Sequence, residues 1–159
     1  MKRTIVVELL ENHENVNFYT IRFVDEEISE FEKFYDKFDP QEDFNEDLDK
    51  IVYWMNKIGI QGALERNFRP EGGKLKALPI DTSRLRLYCF KITENIVILG
   101  NGGIKKTRTY NEDPQLNLHA ETLRIMGRFL TSRIDKGKVS IHNSTLYQSL
   151  TFTIELPDA

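Results

Sequence analysis

Residues 84–110, RLRLYCFKITENIVILGNGGIKKTRTY, decide how this chain folds. Two apolar, β-rich runs, 85–92 and 96–99, flank Thr93-Glu94-Asn95, which is the pattern of an antiparallel hairpin. Strand side chains alternate between faces, so Leu85, Leu87 and Cys89 are expected on one side and Arg84, Arg86 and Tyr88 on the other. One face then reads as core and the opposite one as cationic. Gly100-Asn101-Gly102-Gly103 is expected to carry the chain out of the sheet through a turn or bulge with positive φ, delivering Lys105, Lys106, Arg108 and Tyr110 into a loop. These glycines lack the GxxxxGK[ST] spacing of a phosphate-binding P-loop.

Upstream, residues 3–10 and 17–24 read as strands around the polar stretch 11–16. A helix is expected after Asp25 as cap, with Ile28, Phe31, Phe34, Tyr35 and Phe38 as its apolar stripe. A second is expected from Asp39 as cap and Pro40 at the first helical position, burying Phe44, Leu48, Ile51, Val52, Met55 and Ile58 and ending at Gly59. Their outward positions are rich in carboxylates, among them Glu30, Glu32, Asp36 and Asp47. Residues 60–83 read as an irregular, lid-like loop in which LKAL adds a short strand. Asp113 and Pro114 announce a third helix with Leu116, Leu123, Met126, Leu130 and Ile134 on its buried stripe. Two alternating runs, 138–142 and 150–156, around Asn143-Ser144 suggest a second hairpin that covers a sheet edge.

A chain of 159 residues is long enough for one domain with an adequate core. Its single cysteine, Cys89, excludes a disulfide framework and a cysteine-based zinc cluster. His13, His119 and His142 fall in different expected elements without metal-ligand spacing; His119, near the lysine loop, is the one candidate proton carrier. No metal or other cofactor is expected. MKRTIVVELL reads as a strand rather than a signal peptide, and no run approaches the roughly 20 apolar residues of a membrane span, so a cytoplasmic location is expected. The net charge of −3 conceals an asymmetry. Residues 1–60 carry 7 Lys and Arg against 15 Asp and Glu, a net of −8, whereas 61–159 carry 15 against 10, a net of +5. The second part can face phosphates, although the acidic whole departs from the basic character usual in nucleic-acid binders.

The succession LKALPI, RLYCF, NIVIL and IKKT, followed by a proline-started helix, resembles the RelE/ParE-like toxin superfamily, in particular its phage-derived Gp49-like branch. The resemblance spans about residues 17–135 in element order. It implies an α+β fold in one domain, 1–159: an antiparallel sheet packed on a helical hairpin and a third helix, with strands 3–10 and 138–156 as additions. It further implies the toxin of a type II toxin–antitoxin system, a metal-independent mRNA endoribonuclease acting on mRNA or at the ribosome and neutralised by an antitoxin, often one with a helix-turn-helix domain. Arg86, Lys105, Lys106 and Tyr110 would then be catalytic, and Arg69, Lys74, Lys76, Arg84 and Arg108 would bind RNA. Where the family's short strand ends in an arginine, this chain has Leu78-Pro79. A non-catalytic relative that inhibits a protein target such as gyrase, or an inactive accessory protein, is the alternative.

Overall fold

The computed structural model describes residues 1–80, 84–106 and 108–157. Its elements are β1 (Lys2–Asn12), β2 (Asn17–Phe23), α1 (Glu30–Phe38), α2 (Asn45–Gln61), β3 (Arg69–Gly72), β4 (Leu75–Ala77), β5 (Leu85–Thr93), β6 (Ile96–Ile104), α3 (Pro114–Asp135), β7 (Ser140–His142), β8 (Thr145–Tyr147) and β9 (Thr151–Glu155). Seven strands form one sheet in the order β3-β4-β5-β6-β2-β1-β9, and β7 and β8 form a separate hairpin. The fold is α+β. Neighbouring strands are antiparallel except β2 and β6, whose pairing is parallel over Asn17–Thr20 and Ile96–Leu99. The helical hairpin lies between those two strands in sequence, and such a crossover is what a parallel join requires. The sheet is therefore mixed, not wholly antiparallel as the sequence reading had it.

Helices cover both faces. On one side Phe34, Phe38, Leu48 and Ile51 from α1 and α2 pack on Phe18, Leu87, Cys89, Val97 and Leu99. On the other, Leu116, Leu123, Met126 and Leu130 from α3 pack on Tyr19, Tyr88, Phe90 and Ile98. Helix α3 crosses β5 closely: a Cβ on Gly127 would come within 2.4 Å of the Phe90 ring. Both faces of β5 are thus core, and the expected open cationic face does not exist.

Local chemistry explains the shifted boundaries. Helix α1 starts at a capping box formed by Ser29 and Glu32, not at Asp25, so Ile28 stays outside the stripe and is exposed. Asp39 closes α1 instead of opening α2, because Pro40 cannot continue the backbone ladder. Helix α2 follows a 3₁₀ turn at Glu42–Phe44 and runs past Gly59 to Gly62, whose φ of +98° ends it; Val52 faces solvent. Gly59 makes room for the His13 ring, which lies 2.5 Å from where its Cβ would be. The supposed lid is partly sheet, since β3 and β4 form a hairpin on β5 turning at Gly72 and Gly73, both with positive φ. At the other end, Asp113 accepts from the backbone N–H groups of Gln115 and Leu116, and Pro114 begins α3 as its sequence suggests. Residues 140–142 pair with 145–147, leaving β9 to cover the edge of β1.

Candidate functional site

Strand alternation carries Arg86 to the same side as Tyr88, near the start of β5. Arg86 is only 8% exposed, and its Nη1 lies 2.9 Å from Glu71 Oε1 on β3. Arg69 Nε lies 3.5 Å from the same oxygen, so two guanidinium groups bracket one carboxylate. Beside them Tyr110, in a 3₁₀ turn ahead of α3, meets Tyr88 edge-on with ring centroids 5.8 Å apart. The Tyr110 hydroxyl donates to Glu121 Oε2 at 3.4 Å, and Arg124 donates to both Glu121 oxygens at 2.7 Å. Three chain segments and α3 thereby converge on one polar cluster.

The electrostatics fix which members hold protons. Burial pushes the Tyr88 phenol well above its ordinary range, with Glu71 adding to it. Tyr110 is raised for the same reason, followed by the negative charge of Glu121. Glu121 is lowered, chiefly by its hydrogen bond from Arg124, and that bond raises Arg124 in return. Both phenols keep their protons at neutral pH, and Glu121 is an anion.

The predicted residues do not all meet here. Lys105, Lys106 and Arg108 are exposed in the segment that follows β6 and precedes the turn carrying Tyr110. Lys105 N–H donates to the Arg84 carbonyl at 2.7 Å, holding the start of that segment to β5. Arg84 itself turns to the opposite side, with its guanidinium 4.2 Å over the Phe44 ring, bonded to the Asp43 carbonyl and 3.7 Å from Asp47. It precedes the β5 ladder, so alternation does not govern it, and the buried Asp47 draws it in. Lys76, buried on β4, lies 3.1 Å from Glu65, whose carboxyl is lowered chiefly by that bond. Its neighbours Leu75 and Ala77 face α3, which puts Lys76 on the other side from Arg86. Of the five predicted RNA-binding residues, Lys74 and Arg108 are exposed, while Arg69, Lys76 and Arg84 are engaged in ion pairs.

Glu71, Glu121 and Arg124 were not singled out from the sequence. Glu71 sat in a stretch read as loop, and only strand assignment there would have aimed it at Arg86. The signal for the other two was present, because Glu121 and Arg124 are three residues apart on one helix and therefore neighbours. Gly100-Asn101-Gly102-Gly103 remains within β6 and forms a β-bulge, two residues lying opposite Tyr88. None of these glycines has positive φ. Gly102 is needed for proximity instead: a Cβ there would stand 1.8 Å from the Arg86 carbonyl oxygen.

Among the described residues no group of three His, Cys, Asp or Glu side chains is placed to hold a metal ion, and no helix is long and apolar enough to cross a membrane. Comparison with protein-family models, curated proteins and solved structures found no significant match.

Proposed function

We propose that this chain is the toxin of a type II toxin–antitoxin pair and cuts mRNA in the cytoplasm without a metal ion. The observation that carries the reading is the Arg86–Glu71–Tyr110 cluster, whose tyrosine is reached by a segment that exposes Lys105, Lys106 and Arg108. In support, LKA, RLYCF and IVIL fall in β4, β5 and β6, and Lys105 and Lys106 follow β6 ahead of α3, the element order that the resemblance implies.

The chemistry is an internal displacement. The 2′-oxygen of RNA attacks the adjacent phosphorus, the bond to the 5′-oxygen breaks, and one proton leaves the 2′-hydroxyl while another reaches the departing oxygen. Lys105, Lys106 and Arg108 hold the backbone and offset the charge that builds on the phosphorane. Glu71 takes the 2′-hydroxyl proton in place of the lysine that the resemblance left open, and Arg86 positions Glu71 rather than gripping phosphate directly. Tyr110, protonated at neutral pH, donates that proton to the departing 5′-oxygen. A cognate antitoxin would neutralise the toxin.

One observation favours the second reading, a non-catalytic module that inhibits a protein such as gyrase: Arg86 is enclosed and occupied by Glu71. Induced expression in bacteria separates the two. Cleavage predicts translation arrest with cut transcripts, relieved by Lys105→Ala with Lys106→Ala and by Glu71→Gln. A DNA-damage response with intact transcripts selects the second reading, and neither effect overturns both.

A further inference from the structure

The parallel join between β2 and β6 ends at Thr20 and Leu99, after which β2 continues beside β1 and β6 beside β5. Two parallel strands that part at their carboxyl ends leave a crevice, the place where open sheets commonly bind ligands. Here the crevice is a cavity of about 340 Å³ roofed by α1 and α3. Apolar walls come from Phe23, Leu118 and Leu156. Polar groups converge between them. Glu30, read from the sequence as an outward carboxylate, is only 6% exposed, with Oε1 3.5 Å from Asn101 Nδ2 and Oε2 2.7 Å from Lys33 Nζ. Lys33 is also bonded to Glu26; burial works against its charge, yet these two carboxylates hold it above the ordinary lysine range.

From α3, Gln115 and His119 face the same space, their side-chain nitrogens 3.3 Å apart, with Thr122 one turn further on. Burial, followed by the opposing influence of Glu30 and then the repulsion of Lys37 and Lys33, leaves His119 below its ordinary value and so neutral at pH 7. Lys37 stands exposed at the mouth. It also lines a smaller cavity of about 100 Å³ that reaches Lys106 and shares Gly102 and Gln115 with the first. The groove thus runs from two lysines and Asp113 into a pocket of amides, a neutral imidazole, a hydroxyl and apolar walls, with Arg3 and the mutually paired Glu26, Lys33 and Glu30 also in its lining.

We propose that this cleft binds one nucleoside monophosphate unit, its phosphate between Lys37 and Lys106 and its base inside against Asn101, Gln115 and His119. Lysine ammonium groups suit a phosphate as point charges. Amides and a neutral imidazole offer donors and acceptors that match the edge of a heterocyclic base, while the apolar walls take its faces. The volume lies within the range of small-molecule pockets. Such a unit can be a free nucleotide or one residue of a single-stranded RNA, and the cation segment leading to Lys106 makes both accessible.

The test is a titration of the purified chain, followed by NMR, with the four nucleoside monophosphates, their parent nucleosides, inorganic phosphate and a single-stranded RNA hexamer. At least one monophosphate is expected to saturate, more tightly than its nucleoside and than phosphate. Lys37→Glu should weaken it about tenfold or more, as loss of a charge-assisted contact does, with only a small drop in melting temperature, because Lys37 is exposed in the last turn of α1. His119→Leu should erase preference among bases. A hexamer that competes and suffers the same loss identifies a nucleotide within RNA, and one that does not compete identifies the free nucleotide. Absence of saturation, phosphate binding as tightly as any monophosphate, or indifference to Lys37→Glu would overturn the inference. Binding is read on protein alone and toxicity in cells, so this inference and the ribonuclease reading can fail separately.

Discussion

The two faces of β5 are equally buried and differently made. Toward α1 and α2 the strand presents Leu85, Leu87 and Cys89, packed among phenylalanines and aliphatic residues with the Lys76–Glu65 pair on the neighbouring strand beside Cys89, and burial pushes the Cys89 thiol far above its ordinary range. Toward α3 it grades from Ile92 and Phe90 through Tyr88 to Arg86, which is held by Glu71. An apolar face gains stability with every group removed from water. A buried ion pair does not, because the desolvation of both charges roughly cancels their attraction. The polar end of the α3 face is therefore poorly explained by stability, and that contrast is what directs attention to it as a working surface.

The comparison sharpens first on the apolar face. Phe34→Ala, which empties a wholly buried site between α1 and the sheet, should cost about 3–5 kcal/mol in chemical denaturation. A cost below about 1 kcal/mol would mean that this face is not the structural one. At the boundary between the faces, Gly102→Ala forces a Cβ against the Arg86 carbonyl, and overpacking of this kind costs about 1–3 kcal/mol. Because the clash displaces the residue that holds Glu71, activity should fall further than stability does.

The smallest effect concerns pH. Burial holds His119 below the usual 6.5, with Lys33 and Lys37 opposing its charge and Glu30 and Asp113 favouring it. The unfolded chain then takes up this proton at a higher pH than the folded one, so acid favours unfolding. The His119 contribution is constant above about pH 6.5 and is lost as the pH falls below that value toward the folded-state pKa. His119→Gln should make the melting temperature decline less steeply over this interval than in the wild type. Identical slopes would place His119 in solvent.

Much of the architecture could be read from the chain because its signals are local. Asp113-Pro114 fixes the start of α3, Thr93-Glu94-Asn95 fixes the β5–β6 hairpin, and the phenylalanine spacing fixes the face of α1. What escaped depended on distant partners. Alternation places Arg86 on a face, but whether that face is open depends on where α3 lands, and Gly127 opposite Phe90 is what lets it land there. Pairing of β2 with β6 joins positions about 80 residues apart, so its parallel sense and the crevice it opens have no local signature. Glu30 illustrates the consequence, since an acidic residue in a first helical turn reads as solvated until Asn101 and Lys33 are brought to it. Likewise Arg84 and Arg86 share a parity in sequence and part company because only one of them lies in the ladder.

The most direct test of the central claim replaces the polar end of the α3 face with the chemistry of the other. In Arg86→Met combined with Glu71→Leu, both buried charges leave together, and Arg69, which loses its carboxylate, stays partly exposed to water; stability should stay within about 1–2 kcal/mol of wild type or rise. Arrest of translation and transcript cleavage on expression should be lost. A double variant that folds as well as wild type and still cuts transcripts would contradict the account, since the pair would then be neither structural nor functional in the way its surroundings indicate.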